Sequence, residues 1–167
     1  MRVAPRAASA WPSESAVQRN ADKPHQHDGH VQRLKTREQF QAVLAGSTVA
    51  RTAHFVMHGL APDVTIASSA SAQPAFPPGQ TWIGAMVPKR WARRAVTRNL
   101  LKRQIYAVAA QFEARLPPMA LVVRLRAGFD RSQFVSASSE PLKRAARAEL
   151  DQLFARLVAT QLKAVKP

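Results

Sequence analysis

The sequence predicts an α+β domain in which a small mixed sheet packs with helices in the order helix, strand, strand, helix, strand, helix. Three short apolar runs without internal proline have the composition of strands. Three longer segments repeat apolar residues at helical spacing. Hydrophobic residues make up 46% of the 167 residues, which is enough for a real core. The strand–helix–strand run in the middle of the chain indicates a crossover unit on the sheet.

The chain divides into an extension, one domain and a short tail. Residues 1–30 are rich in Ala, Ser, Pro, Gln and His without apolar periodicity, which predicts a disordered N-terminal extension. Residues 31–162 form the domain, and residues 163–167 form a frayed tail. The extension holds a cluster of metal-ligating residue types, His25, His27, Asp28 and His30. A solvated tail explains this cluster better than a metal site, because nothing nearby would order the ligands.

The first helix is predicted over residues 36–46. Thr36 with Gln39 three residues later fits a capping box, and Gly46 ends the helix. Its apolar face consists of Phe40, Val43 and Leu44.

Strands are predicted over residues 54–60, 81–88 and 119–127, with a long loop over residues 61–80. The second strand alternates between two faces. One face carries Thr81, Ile83, Ala85 and Val87, and the other carries Trp82, Gly84 and Met86. The third strand is apolar along most of its length, which favours burial on both faces.

Two further helices are predicted over residues 93–114 and 138–162. The core stripe of the first consists of Leu101, Ile105, Val108 and Phe112. The stripe of the second consists of Leu142, Ala146, Leu150, Leu153 and Leu157. Beside the stripe of the first helix, a second arc carries Arg98, Asn99, Lys102 and Arg103.

Positive charge is concentrated around the helix at 93–114. The chain has a net charge of +15, and residues 89–126 hold ten Lys and Arg against one Glu, a net charge of +9. Residues 93–104, "RRAVTRNLLKRQ", contain five basic residues and no acid. Like charges at helical spacing cost a few tenths of a kcal/mol per pair, so a helix built only for stability would carry Glu there. This pattern indicates that the neutralising acid belongs to a partner, and a polyanion such as RNA fits best.

Composition narrows the remaining classes of function. The chain has no cysteine, which excludes disulfides and thiolate metal sites and leaves the cytoplasm as the expected compartment. No apolar run approaches the roughly 18 residues that a membrane span needs. Carboxylates are few and scattered, which argues against a nuclease that holds its own catalytic metal ions. A basic helix face that is merely solvated remains the plain alternative to an RNA site.

Asn99 is the one uncharged polar residue within the basic arc. An amide both donates and accepts hydrogen bonds. It could therefore read a base edge or a 2′-hydroxyl, or it could hold a neighbouring arginine in place.

Three segments resemble, in order and spacing, the protein subunit of bacterial ribonuclease P. They are "RLKTREQFQAVLAG", "IGAMVPKRWARRAVTRNLLKRQI" and "LPPMALVVRLRAG", and the resemblance covers residues 32–160. The family motif Arg-Asn-Arg, variable residue, Lys-Arg corresponds here to residues 98–103, with Leu100 in place of the second arginine. Leu100 lies away from the basic arc, so the RNA face survives this replacement.

The resemblance implies a fold with a left-handed β-α-β crossover, shared with some ribosomal proteins. It implies a protein cofactor that removes the 5′ leader of precursor tRNA together with a catalytic RNA, as one protein with one RNA subunit. Catalysis would belong to the RNA and to Mg²⁺ held mainly by RNA, and the protein alone would bind no cofactor and be inactive. The alternative is a ribosomal or ribosome-associated RNA-binding protein of related fold.

The resemblance also implies two sets of binding residues and no catalytic or metal-binding residue in the protein. The set expected to bind the catalytic RNA is Lys89, Arg90, Arg93, Arg94, Arg98, Asn99, Lys102 and Arg103. The set expected to bind the leader is Arg33, Lys35, Phe40 and Phe55. Phe40 could equally be a core residue, and for Trp82 and Trp91 packing in the core or at the RNA edge is favoured.

Overall fold

The computed structural model describes residues 31–61, 76–130, 132–134, 136 and 139–164. The strands are β1 (Gln32–Arg33), β2 (Ser47–Arg51), β3 (Phe55–Leu60), β4 (Trp82–Met86) and β5 (Ala120–Leu125). The helices are α1 (Arg37–Ala45), α2 (Ala95–Phe112) and α3 (Glu140–Ala164), and a 3-10 turn at Glu113–Arg115 follows α2. The predicted extension and residues 62–75 of the predicted loop lie outside the described residues. Of the predicted tail, residues 163 and 164 belong to α3, and residues 165–167 lie outside the described residues.

One five-stranded mixed sheet has the strand order β1-β4-β5-β3-β2. β4 pairs in parallel with both β1 and β5, and β3 pairs antiparallel with both β5 and β2. The unit β4-α2-β5 is therefore the predicted crossover. The α+β class is confirmed, while the left-handed sense of the crossover stays a prediction from the resemblance.

Two strands were missed by the sequence analysis. β1 has two residues and pairs with Trp82 and Ile83, about fifty positions along the chain. β2 is an edge strand, "STVAR", that buries a single residue, Ala50. Neither strand has an apolar alternation, because each is defined by its pairing partner rather than by its own composition.

The sheet separates two layers of packing. On one face, α2 and α3 cover the larger core, and the predicted stripe of α2 is buried throughout. The predicted stripe of α3 is buried as well. On the other face, α1 covers a smaller cluster that includes Leu34, Val43 and the fully buried Phe76. The predicted alternation of β4 is confirmed, since Ile83 and Ala85 belong to the larger core, whereas Trp82 packs against the smaller one.

The start of α1 and its seat on the sheet follow from local sequence. The predicted capping box is present, because Thr36 Oγ1 accepts from the Gln39 N–H at 3.3 Å and Gln39 Oε1 accepts from the Thr36 N–H at 3.2 Å. Phe40 then lies over Gly84, where an added Cβ would be 2.5 Å from the Phe40 ring. A glycine on β4 is thus what lets the aromatic ring of α1 approach the sheet.

Candidate nucleic-acid interface

The solvent-facing side of α2 carries its basic residues. Lys102 and Arg103 are exposed, and so is Asn99 between them and the start of the helix. α2 itself contains no acidic residue. Leu100 is half-buried and packs against the larger core, as expected for a position away from the basic arc.

Tyr106 and Arg33 extend this basic side into a groove. The groove has a volume of about 650 Å³, and its walls include Arg33, Asn99, Lys102, Arg103 and Tyr106. The Arg33 guanidinium lies 4.2 Å from the centre of the Tyr106 ring, a cation–π contact. Arg33 pairs in register with Ile83, which faces α2, so the Arg33 side chain lies on the α2 side of the sheet. Its contact with Tyr106 therefore joins β1 to α2. The groove therefore offers three cations, an amide and an aromatic ring to one ligand.

Arg98 has a different environment from the other motif residues. Its side chain is half-buried, and one guanidinium nitrogen donates to the carbonyls of Ala92 at 3.1 Å and Arg93 at 2.7 Å. Arg98 thus fastens the turn that leads into α2. Asn99 does not hold Arg98, since its side chain makes no hydrogen bond or ion pair within the part of the chain that the structure describes.

Four further cations surround the start of α2, and all are exposed: Lys89, Arg90, Arg93 and Arg94. Arg94 is the N-cap residue and makes no side-chain capping bond, and the first turn of the helix carries no acid. A residue that accepts at an N-cap or an acid in the first turn would normally stabilise this end. The helix start instead carries four exposed cations and, in its first turn, no acid, an arrangement that attracts anions.

The opposite, α1 side of the sheet presents a second group of candidate residues. Phe40 is half-buried there. Arg124 on β5 pairs in register with Val56 and Met86, and His58 lies two positions beyond Val56 on β3, on the same face of the sheet. Arg124 Nε and His58 Nδ1 are buried atoms without a hydrogen-bond partner among the described residues. Burial, and then the charge of Arg124, lower the pKa of His58, so its imidazole is neutral at pH 7.

The structure separates the residues that were assigned to leader binding. Phe55 is fully buried in the core between the sheet and α3, so its assignment is wrong, because a buried ring has no free face for a base. Arg33 belongs to the α2 groove rather than to the α1 side. Lys35 is exposed just before α1, and Phe40 keeps a partly exposed position.

Sequence reasoning also missed three residues of these surfaces. Tyr106 follows Lys102 by four positions, so helical spacing alone places it in the basic arc. Arg124 is the single charge in the apolar strand β5, a pattern that marks a polar position on one face. His58 carries no signal of its own, and nothing in the sequence places it near Arg124.

Two further properties of the described residues concern metal ions and membranes. Among the described residues, no group of three or more His, Cys, Asp or Glu lies in an arrangement that could hold a metal ion. None of the described helices is long and apolar enough to cross a membrane.

Comparisons with known proteins bear on the family and on the fold. The profile of the family described as Ribonuclease P matches residues 30–158. The ribonuclease P protein component of Bordetella parapertussis is 37% identical over 129 residues, which are 75% of this chain and 90% of that protein. That of Burkholderia pseudomallei is 31% identical over 125 residues, 74% of this chain and 80% of that protein. A structure of the Staphylococcus aureus RNase P protein shares the fold, with a TM-score of 0.50 at 19% identity over 82% of this chain and 97% of that one.

Proposed function

The chain belongs to the ribonuclease P protein family, and from that premise we propose that it binds the catalytic RNA through α2 and the 5′ leader of precursor tRNA through the α1 side of the sheet. Family membership makes it a protein component of a tRNA-processing ribonuclease, with the ribonuclease P RNA as partner. The site assignments go further than the family, and they rest on the surfaces described above.

The observation that carries the proposal is the exposed, acid-free side of α2. Lys102 and Arg103 face solvent beside Asn99, and Arg33 is fixed next to them by its contact with Tyr106. An arginine presents a planar fork that bonds two phosphate oxygens, and a lysine supplies a mobile point charge. Because neutralising RNA phosphates releases counterions, such a surface binds tightly at low salt and more weakly at high salt.

Asn99 adds recognition that charge alone does not supply. Its amide is exposed and free of partners within the described chain, and it lies in the same groove as Lys102 and Arg103. Bonding to a base edge or a 2′-hydroxyl would distinguish RNA from another polyanion. We therefore assign affinity to the cations and discrimination to the amide.

The α1 side of the sheet supports the leader assignment. Single-stranded RNA is bound by stacking its bases on aromatic rings while cations follow the backbone. Phe40 offers a half-buried ring, and Arg124 offers a guanidinium whose Nε has no partner among the described residues. The neutral His58 next to it adds a ring that donates and accepts hydrogen bonds. One protein would thus contact the catalytic RNA and precursor tRNA on different faces.

The chemical step belongs, in this proposal, to the RNA. Phosphodiester cleavage with metal ions uses carboxylates that hold the ions, and the described residues offer no such cluster. Mg²⁺ would then be held mainly by RNA, and no step runs through an ion bound by this protein. The protein contributes binding and the screening of phosphate repulsion where the RNA and the leader meet.

RNA selectivity tests the proposal directly. The purified protein is titrated into labelled ribonuclease P RNA and into a ribosomal RNA fragment of equal length, at the same moderate salt concentration. We expect clearly tighter binding of the ribonuclease P RNA, and we expect Asn99→Ala to narrow the difference without changing net charge. Equal binding of both RNAs, or a preference for the ribosomal fragment, would favour the ribosome-associated alternative.

A further inference from the structure

Two adjoining hollows lie where the turn before α2 meets the segment after β5. They share Trp91, Arg93 and Phe129. The first has a volume of about 280 Å³ and is also lined by Arg94 and Phe134. The second, of about 400 Å³, is more open and is also lined by Arg90 and Gly128. Neither hollow belongs to the groove on α2 or to the α1 side of the sheet.

The walls of these hollows are held in place by packing from behind. Gly128 lies so close to the preceding turn that an added Cβ would be 2.9 Å from the Trp91 carbonyl oxygen. The Phe129 ring stacks on His54 with 4.1 Å between ring centres and 12° between planes. His54 is in turn fixed by the Glu149 carboxylate, 2.8 Å from its Nδ1. The aromatic floor is therefore formed before any ligand arrives.

The lining combines exposed aromatic surface with positive charge. Trp91 is 40% exposed, although large apolar side chains are usually buried, and the Arg90 guanidinium lies 5.5 Å from its ring centre. Arg93 and Arg94 are exposed at the edge. Of the described residues that line the two hollows, none is acidic. A ligand that complements this lining has a flat π face and a negative charge close to it.

We propose that the two hollows bind unpaired nucleotides of the catalytic RNA, with bases stacked on Trp91 and at Phe134 and phosphates on Arg93 and Arg94. Rings with arginines beside them are the usual means of holding single-stranded nucleic acid. An acidic peptide would match the charge but would leave the aromatic walls unused. The catalytic RNA is favoured over the leader because the hollows lie at the start of α2, away from Phe40. This inference rests on the proposed function and adds a site to it.

The test separates stacking from charge in the full-length protein. Affinity for ribonuclease P RNA is measured against salt for Trp91→Leu, Trp91→Phe and Phe134→Leu, with Leu162→Ala as an exposed apolar control. Loss of one stacked base should weaken binding by roughly 5- to 100-fold. The salt slope should stay unchanged, because no phosphate contact is lost. Trp91→Phe should recover most of the affinity, since it keeps a ring.

A second pair of variants tests the phosphate contact. Arg93→Gln should weaken binding and reduce the salt slope by about one unit, whereas Arg144→Gln, the same charge change on α3, should do neither. Circular dichroism of every variant confirms that the fold is kept. Phe134→Leu provides the stacking test if Trp91→Leu unfolds.

The outcomes distinguish this site from the function on which it rests. If wild type binds the RNA and the stacking variants bind equally tightly, the hollows are not an RNA site, while the proposed function stands. If wild type shows no preference for the RNA, both fall. If the variants weaken only precursor tRNA binding to the assembled complex, the hollows hold leader nucleotides and the assignment to catalytic RNA is wrong. An acidic peptide that competes for binding in wild type but not in Trp91→Leu would also overturn it.

Discussion

The helices α2 and α3 pack side by side on the same face of the sheet, yet their solvent-facing sides differ in charge. α2 carries Arg98, Lys102 and Arg103 and no acid, whereas α3 carries five basic and three acidic residues. Two acids of α3 are used within the protein, Glu140 with Lys143 at 3.3 Å and Glu149 with His54 at 2.8 Å. Since both helices bury their apolar stripes equally well, the exposed charges of Lys102 and Arg103 are not needed for folding, unlike Arg98, which fastens the turn before α2. It indicates that α2 is the side that meets a polyanion.

The largest expected effect is on the stability of the protein, because α2 and α3 both bury an apolar stripe in the core. Ile105→Ala on α2 and Leu150→Ala on α3 should each lower the free energy of unfolding by about 2–5 kcal/mol, because both side chains are fully buried. Leu162→Ala, at a 70% exposed position, should change it by less than about 0.5 kcal/mol. Urea unfolding followed by circular dichroism measures all three. A small effect at Ile105 alone would mean that α2 is not part of the core.

Charge reversal should separate the two helices. Lys102→Glu with Arg103→Glu should weaken binding of ribonuclease P RNA by roughly 100-fold or more and reduce the salt slope by about one to two units. These two residues are better targets than Arg98, which also fastens the turn before α2. The matched control is Arg144→Glu with Arg147→Glu on α3. If both pairs weakened RNA binding equally, only the total charge of the protein would matter, and α2 would not be the RNA-binding side.

Two phenylalanines allow a similar comparison, between Phe40, which we expect to bind the leader, and Phe55, which packs in the core. Phe40→Leu should weaken the binding of precursor tRNA to the assembled complex by roughly 5- to 50-fold relative to the binding of mature tRNA, because one stacking surface for the leader is lost. Phe55→Leu should lower the stability of the protein and affect the binding of the two tRNAs equally, because Phe55 is fully buried. Binding of both tRNAs to each variant complex is the measurement. An equal effect of Phe40→Leu on the two tRNAs would assign Phe40 to the core.

The smallest expected effect concerns the pH dependence of stability at Glu149, the α3 carboxylate that pairs with His54. Burial raises the pKa of Glu149, but hydrogen bonds from the His54 N–H, Thr52 and the His54 ring, with the His54 charge, outweigh it and lower the pKa below its usual 4.5. The ionised carboxylate therefore stabilises the folded state above pH 4.5, and this contribution is lost as pH falls through the lower, folded value.

Glu149→Gln should consequently be less stable than wild type near neutral pH, and the difference should shrink as the solution is acidified below pH 4.5. Urea unfolding of both proteins over a series of pH values tests this. A difference that is constant with pH would show that the carboxylate charge plays no part.

Local signals in the sequence were sufficient for much of this fold. The capping box of α1, the alternation of β4 and the apolar stripe of α2 each depend on residues close together in the chain, so each could be predicted. β1 could not, because Gln32 and Arg33 form a strand only through β4. The pairing of β1 with β4 also places Arg33 on the α2 side of the sheet, although the sequence analysis assigned it to leader binding.

The candidate site divides in the same way. Helical spacing placed Asn99, Lys102 and Arg103 together correctly, because a single helix fixes their relation. Phe55 was assigned wrongly, since alternation shows that a strand has two faces but not which face a helix will cover. The hollow at Trp91 and Phe129 joins two segments nearly forty residues apart, so no local pattern could reveal it.

The central claim is that this protein supports cleavage by an RNA and does so through the basic side of α2. The most direct measurement is the single-turnover cleavage rate of precursor tRNA against magnesium concentration. It compares the ribonuclease P RNA alone, the protein alone, the RNA with wild-type protein, and the RNA with Lys102→Glu/Arg103→Glu. We predict that wild-type protein shifts cleavage to lower magnesium, that the double variant largely loses this shift, and that the protein alone does not cleave. Cleavage by the protein without RNA, or the same magnesium requirement with and without wild-type protein, would contradict the account.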